Sequence, residues 1–437
     1  MSTPAVSTNQ PERLTPGARR ALWAATVGTL IEWYDYALYG AAAGLVISPL
    51  FFGSDQGAQL AAFATFAVGF IARPLGGILI GHIGDRYGRR PAMILTLVLM
   101  GIATTAIGLL PTAAAIGVLA PLLLVIFRLI QGLGAGAELA GAMTLVAEYA
   151  PPKRRGFFTS IVLSTPPAGI ALATLAFFWA ASLGNEALLG WSWRVPFLAS
   201  AVLFLVALFI RTKLEETPEY QQVTAKNEAA RKSALPIAEL LRKDLGSVAL
   251  GFISITGHNA LNYIMAVFAI GLMTSPAVGI SRPDALLAVT IGSLAGILGT
   301  PFGGWAADRF GSAKILGLGS LLGVLFAFPL FNALTSGSAV TAGVAIAIGY
   351  GIVIAMTSGA QGAFLTNLFP AERRFSGVGL SRELNGAIVA GFSPLIAAAL
   401  IQAADGATWG AALFLAACCA SSVLAVLFAR GRGVVVR

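Results

Sequence analysis

The sequence predicts an all-α polytopic membrane protein with twelve transmembrane helices in two pseudo-symmetric six-helix bundles. Three observations carry that expectation. The 437 residues are 57% hydrophobic and only 11% charged, whereas a soluble domain carries about 25% charged residues. Twelve mostly apolar runs are near the roughly 20 residues that a helix needs to cross a bilayer. A charged segment, Gly81-His82-Ile83-Gly84-Asp85-Arg86-Tyr87-Gly88-Arg89-Arg90, returns 223 residues later in reduced form as Gly304-Trp305-Ala306-Ala307-Asp308-Arg309-Phe310-Gly311.

The apolar runs fall at 21–47, 57–81, 91–111, 118–148, 156–183, 193–210, 246–273, 284–306, 314–333, 338–368, 376–403 and 408–429. Six lie on each side of the polar stretch 211–245, which divides the chain into a tail (1–20), a first bundle (21–210), a linker (211–245), a second bundle (246–430) and a tail (431–437). Both copies of the charged segment read Gly-x-x-x-Asp-Arg-x-Gly between two apolar runs, as a turn. The first glycine admits a close neighbouring helix, and the last permits backbone angles that other residues avoid. A second anchor supports the repeat: Glu148-Tyr-Ala-Pro-Pro-Lys-Arg-Arg155 aligns with Asn367-Leu-Phe-Pro-Ala-Glu-Arg-Arg374 at an offset of 219. Parallel six-helix repeats place a cavity at their interface near the bilayer midplane.

Lys and Arg give the orientation. They cluster in the N-terminal tail, the first charged turn, Lys153-Arg154-Arg155, the linker, Arg309 with Lys314, Arg373-Arg374 and the C-terminal tail. The alternate loops hold only Arg194 and Arg282. Both termini and the linker are therefore expected in the cytoplasm, and the net charge of +9 is topogenic rather than a nucleic-acid footprint. The tail 1–20 reads as short and disordered, without a cleavable signal peptide.

Ionisable residues at membrane depth mark function by default. The first helix carries Glu32 and Asp35 in Ile31-Glu-Trp-Tyr-Asp-Tyr-Ala-Leu-Tyr39, and a spacing of three puts both carboxylates on one face. Two close carboxylates in low dielectric resist ionising together, which suits proton coupling; the alternative is an ion pair with an arginine on a neighbouring helix. Tyr36 and Tyr39 stand beside them as substrate contacts. The fourth helix reads Arg128-Leu-Ile-Gln131-Gly-Leu-Gly-Ala-Gly-Ala-Glu138. Arg128 and Gln131 are candidates for substrate binding, Glu138 is a third proton-coupling candidate, and Gly132, Gly134 and Gly136 form a smooth packing face. Arg73 reads as structural pairing. In the second half, His258, Asn259, Asn262 and Tyr263 on the seventh helix, with Arg382, Glu383 and Asn385 on the eleventh, are substrate-binding candidates; Gln361 is a weaker one.

No Gly-x-x-x-x-Gly-Lys-Ser/Thr phosphate loop is present, so ATP is not expected to drive the protein. The adjacent Cys418 and Cys419 and the two separated histidines make neither a disulfide framework nor a metal site. Hydrolase motifs are lacking. No enzyme activity, cofactor or metal is expected.

At these residues a resemblance becomes specific. Two six-helix halves with Gly-x-x-x-Asp-Arg-x-Gly after helices 2 and 8 resemble the major facilitator superfamily. Glu32-Trp-Tyr-Asp-Tyr36, Gly69-Phe-Ile-Ala-Arg-Pro-Leu-Gly-Gly77, Arg128-Leu-Ile-Gln-Gly132, Trp193-Arg-Val-Pro-Phe197 and Leu214-Glu-Glu-Thr-Pro218 resemble its metabolite:proton symporter family. That family moves proline and betaine, α-ketoglutarate, citrate, shikimate and aromatic acids together with protons. The resemblance implies alternating access by rocking of the halves. It also implies a cytoplasmic gate in which Asp85 and Arg86 lock with Glu148 and Arg154. Gly81, Gly88, Arg89 and the second-copy residues Gly304, Asp308, Arg309 and Gly311 complete the gate. Asn367 stands where the family has Glu, and Arg382-Glu383 replaces an uncharged stretch.

The expected function is a proton-coupled symporter in a bacterial inner membrane, monomeric, importing a small organic acid. The alternatives are a proton/osmolyte symporter for proline or betaine and a transport-fold ligand sensor.

Overall fold

The computed structural model describes residues 16–53, 56–87, 89–136, 138–213, 240, 242–370 and 373–431. Helix α1 spans Pro16–Ala42 and continues in wider π-helical turns over Ala43–Phe52. Helices α2 and α3 span Gln56–Tyr87 and Arg89–Leu109. Helix α4 runs Leu119–Gly134 and resumes as Glu138–Tyr149. Helix α5 is Arg155–Ser182, and α6 is Arg194–Lys213. A short helical segment, Asn185–Ser192, precedes α6 at a bend of 45°. The second half contains α7 (Leu245–Met273), α8 (Arg282–Phe310), α9 (Ser312–Leu334), α10 (Ala339–Asn367) and α11 (Arg374–Ala403). It ends on α12 (Trp409–Gly431).

Nine of these segments are long and apolar enough to cross a membrane alone, and the bent pair makes a tenth. The shorter apolar stretches Ile94–Leu109 and Leu119–Gly134 complete the predicted twelve. Their surface is inverted relative to a soluble protein. Val202, Leu205, Leu298, Phe302, Leu325 and Phe428 are exposed, while Glu32, Asp35, Arg73, Arg128 and Glu383 are buried. In lipid, outward apolar side chains cost nothing and ionised groups must turn inward.

Within the first half α1 packs on α5, α2 on α4, and α3 on α4 and α6. In the second half α7 packs on α12 and α11, α8 on α10, and α9 on α12 and α10. The halves meet in pairs that a pseudo-twofold interchanges: α5 on α8 and α2 on α11, α5 on α10 and α4 on α11, with α1 on α7. Side-chain detail repeats the symmetry. Arg155 Nε donates to the Ala147 carbonyl at 2.9 Å, and Arg374 Nε donates to the Thr366 carbonyl at 2.9 Å. Both members of the second pair stand at the sequence offset of 219 from the first.

Local structure departs from expectation at three places. Helix α1 starts at Pro16, inside the stretch read as a tail, because a proline in the first turn lacks only an N–H that has no partner there anyway. The second copy of the charged segment is helical to Phe310, so its turn shrinks to Gly311, whose φ is +100°. The glycines of α4 also serve two partners. A Cβ on Gly132 would meet the Gly69 carbonyl of α2 at 2.0 Å, and one on Gly136 would meet the Gly77 nitrogen at 2.4 Å. Gly134 instead faces Met100 and Thr96 of α3.

Candidate functional site: a charged cleft between the halves

Three linked clusters occupy the middle of the interface. The first lies wholly inside the first bundle. Gln131 donates from Nε2 to Asp35 Oδ2 at 2.5 Å and to Thr104 Oγ1 at 2.9 Å. Its Oε1 accepts from Arg128 Nη1. Arg128 Nη2 donates to the Phe66 carbonyl at 3.0 Å, and the guanidinium lies 4.1 Å from the Tyr39 ring centroid. Asp35, Arg128, Gln131, Thr104 and Tyr39 are all fully buried. Gln131 thus joins a buried acid to a buried base that makes no direct ion pair with it. Asp35 Oδ1 is buried without a hydrogen-bond partner, and an ionised oxygen in that position is costly.

The second cluster bridges the halves. Arg73 Nε donates to Glu383 Oε2 at 3.0 Å, and its Nη2 lies 3.5 Å from both Glu383 Oε1 and Glu32 Oε1. The guanidinium also covers the rings of Tyr36 at 4.9 Å and Phe70 at 5.5 Å. A planar fork on α2 therefore holds one carboxylate from its own bundle and one from the other.

The third cluster belongs to the second bundle. Arg382 Nη1 donates to Gln361 Oε1 at 2.7 Å. Gln361 Nε2 lies 3.3 Å from His258 Nε2, and His258 Nδ1 lies 2.8 Å from Thr357 Oγ1. Thr357 donates its own hydroxyl to the Val353 carbonyl, so a neutral imidazole protonated on Nδ1 satisfies both contacts. Asn259 Nδ2 donates to Asn385 Oδ1 at 2.5 Å, and Asn385 Nδ2 donates to the Phe252 carbonyl at 2.8 Å.

Between the second and third clusters lies a cavity lined by Trp33, Phe70, Arg73, Asn259, Tyr263, Arg382 and Glu383. Its volume of about 30 Å³ admits one or two waters, not an organic acid. Tyr263 crosses from α7 to pack on Trp33, Phe66 and Phe70 of the first half. π-helical turns start immediately after Tyr263 and after Asn385, at Ile264–Phe268 and Gly386–Ala390. Such wide turns recur at functional sites because they re-aim side chains within a helix.

The halves also touch at both faces. At the face bearing the termini, Asp308 of α8 accepts from the backbone N–H of Gly156 at 2.6 Å and of Phe157 at 2.8 Å. Its hydrogen-bond partner is the N-terminal end of α5, whose donors a helix start leaves unpaired, and the charge of Arg154 just before that end also acts on it. Gly156 and Gly304 make the approach possible: a Cβ on Gly304 would meet the Gly156 carbonyl at 2.6 Å and Ser160 Oγ at 2.3 Å. Asn367, read as a lost charge, still accepts from Arg155 Nη1 across the halves at 3.4 Å. At the opposite face Gly44 meets Gly271, Gly40 meets Val267, and Arg282 donates to Asn185.

The sequence-predicted residues therefore separate. Asn259, Tyr263, Arg382 and Glu383 come together on the cavity, with Tyr36 and Asn385 directly behind its wall. Arg128, Gln131 and Tyr39 sit one layer deeper and do not line it; burial against Phe66 and Tyr39 keeps Arg128 from the cavity. His258 reaches it through Gln361. Asn262 is engaged through its backbone, whose carbonyl accepts from the Tyr350 hydroxyl at 3.3 Å. Arg154 is exposed, and Arg309 stacks on Trp305 and Phe310. Gly88 and the side chains of Asp85, Arg86, Arg89, Glu138 and Glu148 lie outside the described residues, as does Gly81 beyond its helical backbone. Arg73 gains a central place that its reading as structural pairing did not give it. Its signal was available: an arginine followed by Pro74 within the apolar run of α2. Thr104 and Thr357 carried no such signal.

Two six-helix halves packed around a charged cleft define the architecture of a membrane transporter. The Major Facilitator Superfamily model matches residues 25–382. The chain belongs to that superfamily and, within it, to the metabolite:proton symporter family. It is 39% identical over 417 residues to the shikimate transporter of Escherichia coli strain K12, covering 94% of each chain. It is 32% identical over 400 residues to the proline/betaine transporter of Salmonella typhimurium, covering 89% of this chain and 78% of that one. Among solved structures, the xylose transporter XylE from E. coli in a partially occluded inward-open conformation superposes with a TM-score of 0.73. That likeness spans 95% of this chain and 98% of the other at 20% identity.

Proposed function

We infer that this protein is a proton-coupled symporter that imports a small organic acid by alternating access. The observation that carries the reading is the midplane cavity itself, which sets Arg382 beside the flat rings of Trp33, Phe70 and Tyr263. A guanidinium matches a carboxylate by charge and fork geometry, and the rings match an apolar or cyclic body. The name of the shikimate-transporting relative points to the same ligand class, a cyclic carboxylic acid.

The proton falls to Asp35, with Glu32 as its neighbour on the same helix face. Of the two, Glu32 has an arginine partner in Arg73, whereas Asp35 is held by neutral donors. Asp35 is neutral when loaded and ionised after release, and each change alters what Gln131 and Arg128 must balance. The transporter sits in a bacterial inner membrane with both termini and the linker 211–245 in the cytoplasm, as the Lys and Arg distribution favours. The face sealed by Asp308 is then the cytoplasmic gate. Monomers suffice for this cycle.

The test is uptake by purified protein in liposomes with an imposed pH gradient, acid outside. Labelled shikimate, benzoate, α-ketoglutarate, citrate, proline and betaine are offered in turn. Saturable accumulation of an acid that collapses with the gradient is expected. Accumulation of proline or betaine alone, rising with external osmolality, would establish the osmolyte reading instead. Ligand binding without any flux would point to a sensor.

A further inference from the structure

We propose that Asn259 sets a preference for hydroxylated acids: its side-chain oxygen accepts from a hydroxyl of a ligand whose carboxylate lies on Arg382, and Asn385 holds that oxygen in place. The inference rests on the organic-acid reading and narrows it to ring acids that carry a hydroxyl.

The orientation of two amides carries it. A backbone carbonyl can only accept a hydrogen bond, and the Phe252 carbonyl lies 2.8 Å from Asn385 Nδ2. Thr256 Oγ1 donates to that same carbonyl at 3.2 Å, and so accepts from Asn385 Nδ2 at 3.0 Å. The nitrogen of Asn385 is therefore fixed on Phe252 and Thr256, and its oxygen is turned to Asn259. That oxygen needs a donor, so Asn259 presents Nδ2 to it at 2.5 Å. Oδ1 is then the end of Asn259 left for a ligand. Among the described residues nothing donates to it, and Asn259 stands on the cavity wall.

Arg382 is ordered in a similar way. It has only donors, so Gln361 turns Oε1 to it at 2.7 Å and sets Nε2 3.3 Å from His258 Nε2. This is the one hydrogen bond of Arg382 among the described residues, and most of its fork is open to a carboxylate. Arg382 and Asn385 stand three residues apart on α11 and share a helix face. Asn259, Asn385, Arg382 and Gln361 all belong to the second bundle. The cation and the acceptor therefore keep their relation when the bundles part to admit a ligand.

A ligand must then match three features. A carboxylate answers Arg382, a hydroxyl donates to Asn259, and a ring packs on Trp33, Phe70 and Tyr263, which line the same cavity. A ring acid without a hydroxyl displaces water from Oδ1 and gives nothing back. A polar group left unpaired in this way is what lets a site reject the analogue that lacks a donor. Ionised benzoate and betaine have no O–H or N–H to offer.

The experiment is equilibrium binding of matched acids to detergent-purified full-length protein. The meta- and para-hydroxybenzoates are compared with benzoate and with the corresponding fluorobenzoates, and shikimate with cyclohexenecarboxylate. Fluorine is close to a hydroxyl in size but has no proton to donate. Wild type should bind the hydroxylated member of at least one pair about tenfold more tightly. Asn259→Leu should bring that pair to near parity by weakening the hydroxylated acid while the plain acid binds as before. Asn385→Ala, which frees the Asn259 amide to turn, should shrink the same ratio. The fluorobenzoate comparison on unmodified protein keeps the test open if a variant does not fold. Three results would overturn the proposal: equal binding within every pair by wild type, a preference retained in Asn259→Leu, or equal loss of both acids in that variant, the mark of a structural role. Equal binding within pairs leaves the organic-acid reading standing. Failure of every acid to bind removes both.

Discussion

Gln131 shows how a single neutral side chain can join two opposite charges. Its amide nitrogen serves Asp35 and Thr104 while its oxygen serves Arg128, so one rotamer links both groups without letting them pair directly, and Asp35 Oδ1 and Arg128 Nε stay without a partner. Gln131→Leu should cost about 3 kcal/mol by stranding both charges in a buried site, read as a lower melting temperature in detergent. Asp35→Asn keeps the shape and removes the exchangeable proton. It should retain counterflow of labelled substrate and lose accumulation driven by a pH gradient, and normal accumulation would remove Asp35 from the coupling step. At this scale the sequence was legible where chemistry is rare in a membrane: Glu32, Asp35, Arg128, Arg382 and Glu383 stand out in apolar runs. Their partners were not legible. Nothing in residue order says that Arg73 reaches Glu383, 310 positions away, or that Arg128 turns inward to Phe66 rather than into the cavity.

Helix ends and glycines decide how the halves close. Asp308 caps α5 from the other half, so the gate is an electrostatic and hydrogen-bonded contact with a helix terminus. Asp308→Asn keeps the shape but weakens that cap by about 1 kcal/mol. It should shift the equilibrium toward opening at that face, measured as faster labelling of a cysteine introduced at Asn259 in a protein lacking Cys418 and Cys419. Gly304→Val should act more strongly, because any Cβ there meets the backbone of Gly156. Transport should fall steeply while folding, followed by size-exclusion profile, is retained. Unchanged transport in Gly304→Val would mean that the α5–α8 seam does not limit the cycle. The glycine spacing of the charged segment predicts a close approach, and Gly304 of the second copy lies against Gly156. Its reading as a turn failed because helical hydrogen bonding carries through Asp308 and Arg309, and only Gly311 needs a left-handed backbone.

Across the whole molecule, the duplicated segments foretold the architecture because each anchor recurs at almost the same offset. The twelve spans, the two bundles and the cavity between them follow from apolar run lengths and that repeat. The conformation does not follow, since closure depends on small contacts at both faces. Gly44 against Gly271 and Gly40 against Val267 hold the halves together at one face, while Asp308 on α5 holds them at the other. Alternating access needs these contacts to open in turn around the same charged cleft, driven by what binds there. The most direct test adds the acid that accumulates to liposomes containing the protein and an internal pH-sensitive dye. Symport predicts saturable internal acidification that requires both protein and substrate, and its loss in Asp35→Asn. Uptake of the labelled acid at full rate without any acidification would contradict proton coupling.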